Sequence, residues 1–180
     1  MQWQIDTSHS SVTAAVKHMM LTTVRGGFSG ATGTIDFDPA KPEAGAIELR
    51  IPAASVNTGD AKRDGHLRSA DFLDAETHPE IVFKSTKVTP KGTDSFLVDG
   101  DLTIRGTTKP VAVSVDLLGI VADPRAGQRA GFDAKFSFDR TQWGLTWNMP
   151  IPSGVVVGEK ITVEANIAAT PLVKTEAAAA

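Results

Sequence analysis

The segment RDGHLRSADFLD, from Arg63 to Asp74, gathers five charges and one histidine. Its arginines could hold an anionic or polar head group, because a guanidinium offers a fixed fork of N–H donors. The alternative, which we favour, is that the charged side chains pair with one another and hold a short helix in place. The apolar residues between them, Leu67, Phe72 and Leu73, could line or plug one end of a cavity.

The four histidines, at positions 9, 18, 66 and 78, are the other candidates for acid–base or metal chemistry. They stand in no His-x-His or His-Glu-x-x-His pattern, and the chain has no cysteine, which also excludes disulfides and thiolate catalysis. Hydrogen-bonded structural histidines are therefore the favoured interpretation. No nucleophile or oriented triad partner accompanies His18 or His66, so the sequence predicts no catalytic residue, no metal site and no cofactor.

Two further motifs have both a functional and a structural explanation. GFSGA, from Gly27 to Ala31, resembles a nucleophile elbow, but Ala31 replaces the last glycine and the surrounding pattern is that of a strand. We interpret its glycines as points where a strand bends. Trp143 and Trp147 alternate with Leu145 near a strand end, where they could cover the mouth of a barrel or pack in the core.

Length and charge narrow the class of protein. A chain of 180 residues with a net charge of −3 fits one domain, and it has no basic cluster of the kind that binds nucleic acid. It has no uncharged apolar run of the roughly 20 residues that span a bilayer, and its first residues, MQWQIDTSHSSV, do not form a secretory signal. We expect a cytoplasmic protein, or a periplasmic one if a leader has been removed. We also expect a single domain over residues 1–170 and a flexible, Ala-rich tail over residues 171–180.

Alternation of apolar and polar residues is the dominant pattern of the chain. In FDAKFSFD, from Phe132 to Asp139, four apolar residues share one face, and ITVEANI, VAVSVDL and VTAAVKH repeat the pattern. Strict period-two alternation indicates antiparallel strands with one buried face. We predict eight strands, near residues 3–20, 23–38, 44–52, 79–89, 95–105, 108–122, 130–142 and 158–169.

Eight such strands can close into an antiparallel β-barrel, which is either filled by side chains or holds one small ligand. A two-sheet sandwich is the competing architecture, and alternation fits both. A short helix is predicted between Thr58 and Leu73. Asn57 or Thr58 could cap its first turn, and Gly65 would weaken its middle or end it.

Several segments of the chain resemble, in order, segments of the YceI-like family. They are DTSHSSVTAAVKHMM, VRGGFSGATG, RDGHLRSADFLDAETHPEIVFKSTKV, GDLTIRGTTKPV, AGFDAKFSFDRTQWGLTWN and VGEKITVEANIAA. The patterns HSxVxxxVKHM and RDxHLRSxDF are specific in combination. The resemblance implies an extended, lipocalin-like, eight-stranded antiparallel barrel that binds a polyisoprenoid, such as an isoprenoid quinone precursor, or another long-chain amphiphile. It also implies a non-enzymatic protein that forms a homodimer and, without a leader, belongs to the cytoplasmic branch of the family.

The resemblance assigns one set of residues to the apolar lumen. It assigns others, together with Asp64, to a helical clasp at the mouth of the lumen. The family usually has aromatic residues where this chain has Ala14 and Ala31, so we expect either a wider tunnel or a space filled by neighbouring side chains. Two alternatives to a lipid carrier stay open: an enzyme with a lumen histidine as its acid–base group, and a filled barrel that binds partners through its surface in stress protection. The predicted ligand-binding residues are Val12, Ala14, Val16, His18, Phe28, Ala31, Arg63, His66, Leu67, Phe72, Phe83, Leu102, Ile104, Phe132, Ala134, Phe136, Trp143 and Trp147.

Overall fold

β-Strands account for more than half of residues 1–172, the part of the chain that the computed structural model describes. Those residues contain one α-helix, α1 (Ala61–Arg68). The predicted tail lies outside the described residues, except for Pro171, which ends the last strand, and Leu172. The strands are β1 (Gln2–Ile5), β2 (Ser11–His18), β3 (Thr22–Phe28), β4 (Thr32–Asp36), β5 (Ala46–Pro52), β6 (Glu80–Pro90), β7 (Ser95–Ile104), β8 (Thr107–Asp123), β9 (Gly127–Asp139), β10 (Pro150–Ile151), β11 (Gly154–Val155) and β12 (Lys160–Pro171).

The sheet closes into a barrel because the short strand β1 pairs antiparallel with both β4 and β12. From β4 the antiparallel ladder continues through β5, β6, β7, β8 and β9 to β12. We call the end of the barrel near His18 the upper end and the end near Phe37 the lower end. In the upper half, β2 takes the place of β1 beside β12, and β3 pairs with β2. Since β1 with β2 and β3 with β4 each form one bent wall strand, the predicted eight-stranded antiparallel barrel is confirmed and the sandwich is excluded.

Two predicted strands are interrupted where the wall bends. The strand predicted over residues 3–20 contains a 3₁₀ turn at Thr7–His9. The strand predicted over residues 23–38 ends at Phe28 and resumes four residues later. Between the two parts, Gly30 has a φ of 74°, a left-handed conformation that favours glycine. The bend predicted for the GFSGA segment therefore lies at Gly30.

The upper half of the barrel lacks a strand between β3 and β6. Instead, Gly27 of β3 and Asn57 exchange backbone hydrogen bonds of 2.8 and 2.9 Å. The wall is so tight here that a Cβ on Gly26 would lie 3.0 Å from the Cγ2 methyl of Thr58. The segment of residues 53–79, which contains α1, occupies the gap, and its first N–H, from Ala53, donates to the Pro79 carbonyl at 2.8 Å. A charged helical segment thus covers the side of the barrel that no strand closes.

The helix α1 begins two or three residues later than its predicted caps imply. Asp60 is the N-cap, because its carboxylate accepts the backbone N–H of Arg63 at 2.9 Å. The prediction of Asn57 or Thr58 as the cap is therefore wrong. Gly65 lies inside the helix and does not end it.

At the lower end, Arg129 joins the corner between β1 and β2 to the hairpin of β8 and β9. Its guanidinium donates to the carboxylate of Asp6 and, at 2.9 Å, to that of Asp123. The backbone N–H groups of Arg125 and Ala126, followed by Arg129, lower the pKa of Asp123 to about 2. The hydroxyl of Ser8, two residues after Asp6, followed by Arg129, lowers the pKa of Asp6 well below its usual range.

The substitution Arg129→Gln should move the acid unfolding of the protein to higher pH. The two carboxyls have pKa values in the fold below their unfolded value of about 3.9, so they stabilise the fold above that pH. This contribution is lost as the pH falls through the folded pKa of each group. Without the cation both folded pKa values rise, so the variant loses stability at higher pH than the wild type. Urea unfolding followed by circular dichroism from about pH 7 to about pH 2 measures the shift.

Arg105→Gln is the control for this experiment, since Arg105 donates to the carbonyl of Gly144 at 2.9 Å and not to a carboxylate. It should leave the pH dependence of unfolding as in the wild type. An Arg129→Gln profile that coincides with both would contradict the role of this ion pair.

Candidate functional site

A cavity of about 420 Å³ runs through the interior of the barrel, a volume within the range of ligand sites in proteins. It contacts residues from all ten strands of the barrel sheet, from His18 at the upper end to Phe37 at the lower end. Alternation explains its lining, because the apolar face of each strand points inward. The alternative of a barrel filled by side chains is therefore wrong. On β12, for example, the inward residues are Ile161, Val163, Ala165 and Ile167.

Three phenylalanine rings pack across the lower part of the cavity. Phe37 contacts Phe96 with ring centroids 5.6 Å apart and Phe132 with ring centroids 5.7 Å apart. Both contacts are edge-to-face, the arrangement that the charge distribution of aromatic rings favours. All three side chains are buried and line the cavity, so they form its floor.

A second aromatic group covers the upper end. The ring centroids of Phe72, which lies just after α1, and Trp147 are 5.5 Å apart. The ring centroid of His66 lies 5.0 Å from that of Phe72 and 4.6 Å from that of Trp147. Leu67 and Leu73 line the cavity beside them. The apolar residues of the charged segment thus face the cavity, as the sequence predicts.

The charged residues of the segment hold it in place, but by different bonds from those predicted. Arg68 donates to the carbonyls of Ala54 and Val56 at 2.8 and 3.0 Å, and Arg63 donates to the hydroxyl of Thr58 at 2.7 Å. Asp64 is buried and accepts both the N–H and the hydroxyl of Thr58, and the hydroxyl is the larger cause of its lowered pKa. The prediction that these charges pair with one another is therefore wrong for both arginines.

Within the segment, His66 and Asp71 form a hydrogen bond, with the ring Nε2 and a carboxylate oxygen 2.8 Å apart. In the described part of the chain, no side-chain hydroxyl forms a hydrogen bond to the ring of His66 or of His18. Neither ring is therefore paired with a nucleophile of the kind that a triad requires. No group of ligands that could hold a metal ion occurs among residues 1–172, and no helix there is long and apolar enough to cross a membrane.

A buried arginine that the sequence analysis missed fixes the loop that carries Trp147. Arg140 donates to the carbonyl oxygens of Leu145, of Trp147 at 3.0 Å, of Val157 at 3.2 Å and of Gly158 at 2.8 Å. Burial lowers the pKa of Arg140. The sequence feature that could have identified Arg140 is that it is the single cation in a stretch rich in aromatic residues, FSFDRTQWGLTW.

The structure brings all but two of the predicted ligand-binding residues to the cavity. The exceptions, Ala31 and Trp143, are buried in the surrounding core, where the indole N–H of Trp143 donates to the Leu102 carbonyl at 2.9 Å. Binding by the others stays a prediction. The residues that line the cavity as predicted are Val12, Ala14, Val16, His18, Phe28, Arg63, His66, Leu67, Phe72, Phe83, Leu102, Ile104, Phe132, Ala134, Phe136 and Trp147.

The two alanines at positions where the family usually has aromatic residues lie in different surroundings. Ala14 faces the cavity opposite Gly26 of β3, so neither residue brings bulk to this part of the wall. Ala31 packs in the buried core, and its carbonyl accepts the hydroxyl of Thr7 at 2.8 Å. The lumen is therefore open at Ala14, whereas neighbouring side chains fill the space at Ala31.

The ionisable residues that line the cavity are distributed unequally. Its upper part is contacted by Lys17, Arg63, the buried Arg140 and the rings of His18 and His66, and of these Lys17, His18 and Arg63 are exposed to solvent. Asp36, the carboxylate among the lining residues, lies at the lower end of β4. The cavity can therefore shelter a long apolar chain and meet a polar or anionic group at its upper mouth.

Comparisons with known proteins agree with this architecture. Residues 3–169 match the family model described as the YceI-like domain. The chain is 36% identical over 143 residues to a UPF0312 protein of Vibrio cholerae, which covers 78% of this chain and 76% of that protein. BcnA of Burkholderia cenocepacia has a TM-score of 0.82 at 26% identity, with 92% of this chain and 99% of that chain covered. A polyisoprenoid binding domain from Saccharophagus degradans shares the fold, with a TM-score of 0.74 at 15% identity over 94% of this chain and 98% of that chain.

Arg140→Lys should destabilise the protein by about 2–3 kcal/mol, because an ammonium group cannot donate to the four carbonyls that the planar guanidinium reaches. Urea unfolding measures the loss. Arg105→Lys is the matched control at a half-buried arginine that donates to one carbonyl, a bond that lysine can also make, and it should change stability by less than about 0.5 kcal/mol. Equal stabilities of the two variants would show that the Arg140 bonds are not needed.

Proposed function

The chain belongs to the YceI-like family, and from this premise we propose that it binds a long amphiphilic lipid, a polyisoprenoid or an isoprenoid quinone precursor, and carries or stores it unchanged. The observation that carries the proposal is the continuous apolar cavity along the barrel, with its cations at one mouth. Each CH₂ group of a lipid tail that leaves water for such a lining contributes about 0.8 kcal/mol. The S. degradans domain, described as polyisoprenoid binding, has the same fold and is consistent with this use of the barrel.

The lining of the cavity favours a ligand whose polar atoms are confined to one end. A polar group inside the barrel would lose its water without a hydrogen-bond partner, which is costly. At the upper mouth, Lys17 and Arg63 offer charged donors next to solvent, and His18 offers a ring nitrogen. Tail burial would therefore supply most of the affinity, and the mouth would orient the head group.

Extraction of the purified protein with organic solvent, followed by mass spectrometry, tests the proposal. We expect a prenyl lipid in an amount that approaches that of the protein. Protein that is empty and also fails to bind prenyl lipids in titration would defeat the proposal. A bound lipid that is converted on incubation, with conversion lost in His66→Ala, would favour the enzyme alternative instead.

Ala14→Phe should weaken binding of a long prenyl lipid by about tenfold or more. A phenylalanine ring at this position occupies the space opposite Gly26, and exclusion of only two CH₂ groups from the lining corresponds to about tenfold in affinity. Titration followed by tryptophan fluorescence, with Trp147 at the cavity, measures the change. Thr13→Phe adds the same ring to the exposed face of the same strand and should bind like the wild type.

An equal effect of the two phenylalanine substitutions, or no effect of Ala14→Phe, would contradict a tail that passes Ala14. The homodimer and the cytoplasmic location implied by the family resemblance stay predictions. Analytical ultracentrifugation and cell fractionation test them.

A further inference from the structure

The loop between β2 and β3 presents three consecutive large apolar side chains to solvent. Met19 is 39% exposed, Met20 is 59% exposed and Leu21 is 77% exposed. Met149, which is 51% exposed, belongs to a loop joined to this one, since Val156 accepts the N–H of Met19 at 2.8 Å and donates to the carbonyl of Met149 at 3.1 Å. We call Met19, Met20, Leu21 and Met149 the apolar tip.

The backbone conformation of this turn does not explain why methionine occupies both of its central positions. Met19 and Met20 have φ values of 51° and 59°, a left-handed conformation that asparagine and glycine adopt at lower cost. The turn is closed by a hydrogen bond of 3.0 Å from the N–H of Leu21 to the carbonyl of His18. A polar Asn-Gly pair would fit the same turn better and would not expose apolar area. The choice of methionine here therefore indicates a role outside the folding of the turn.

The apolar tip lies beside the upper mouth of the cavity. Lys17 and His18, the two residues before the tip, line the cavity, and so does Val156, which joins the two loops. A surface that contacts the tip would therefore lie next to the opening.

The charges near the tip favour an anionic surface. The chain has no acidic residue between Asp6 and Asp36, a stretch that contains Lys17 and Arg25, and none between Asp139 and Glu159. Both loops of the tip thus carry positive or no charge, although the whole protein has a net charge of −3. Of the carboxylates at this end, Asp64 is bonded to Thr58 and Asp71 to His66, and Glu159 stands where the second loop ends. Phosphate groups of lipids complement this distribution.

We propose that the apolar tip docks on the surface of an anionic lipid bilayer and brings the mouth of the cavity to it. Methionine and leucine side chains insert among lipid head groups, while Lys17 and Arg25 stand near the phosphates. A stable protein interface buries about 800 Å² on each partner, which four side chains on a convex turn do not supply. The proposal goes beyond lipid binding in the barrel, and it gives a bound lipid a direct route between bilayer and cavity.

Co-sedimentation with vesicles of phosphatidylethanolamine and phosphatidylglycerol tests the proposal on the full chain after bound lipid has been removed. The double substitution Met20→Ser and Leu21→Ser should reduce vesicle binding by about tenfold or more, because it removes two inserted side chains. Leu118→Ser with Val121→Ser is the matched control, since these residues of β8 are 59% and 61% exposed and lie away from the mouth. The control should bind vesicles like the wild type, and thermal unfolding should confirm that both variants fold.

Absence of vesicle binding by the wild type, or equal binding by the tip variant, would overturn docking. A third outcome also overturns docking: the wild type does not bind vesicles, and analytical ultracentrifugation shows that the tip variant has lost self-association. That result would assign the tip to contact with a second copy of the chain. The vesicle experiment and the prenyl-lipid experiment can fail independently of each other. Protein that binds vesicles through the tip but never holds a prenyl lipid would refute carriage alone.

Discussion

Closure of the barrel by β1 is the constraint on which the other features depend. This short strand pairs with β4 on one side and with β12 on the other, and its Trp3 is fully buried. A closed sheet has no edge, so each strand can direct one apolar face inward without exposing unpaired backbone groups. Because some of the inward residues are as small as Ala14, Gly26 and Ala165, the interior is a cavity rather than a packed core.

The upper half of the barrel is closed in a different way. There the chain lacks a strand beside β3. Backbone bonds between Gly27 and Asn57 join β3 to the helical segment, and side-chain bonds from Arg63, Asp64 and Arg68 hold that segment together. These bonds explain why a charged helical segment interrupts a chain of strands: its charges hold loop carbonyls and a threonine, and its apolar residues cover the cavity. The same end gathers the cations of the cavity and the apolar tip.

Much of this fold can be predicted from the sequence, because alternation is a local property and the strands follow it. The faces of Phe132 to Phe138 and of Ile161 to Ile167 point inward as predicted. The glycines of GFSGA indicate the bend at Gly30, whereas the turn at Thr7–His9 lies in the all-polar stretch DTSHSS, inside a strand predicted to be continuous. The acceptors of the arginines could not be predicted, since the carbonyls of Ala54 and Leu145 face Arg68 and Arg140 only because of the way the chain turns between them. The surroundings of Ala31 could not be predicted either. Which side chains fill the space beside this alanine depends on the residues that the fold packs around it.

The aromatic cover of the upper mouth comes from two distant parts of the chain that share contacts. Arg140 lies 5.9 Å from the centre of the Phe72 ring while it holds the loop of Trp147, and Trp147 in turn contacts Phe72 and His66. Displacement of either part removes packing from the other. The helical segment and the loop of residues 144–158 therefore form one packed cover over the upper end of the cavity.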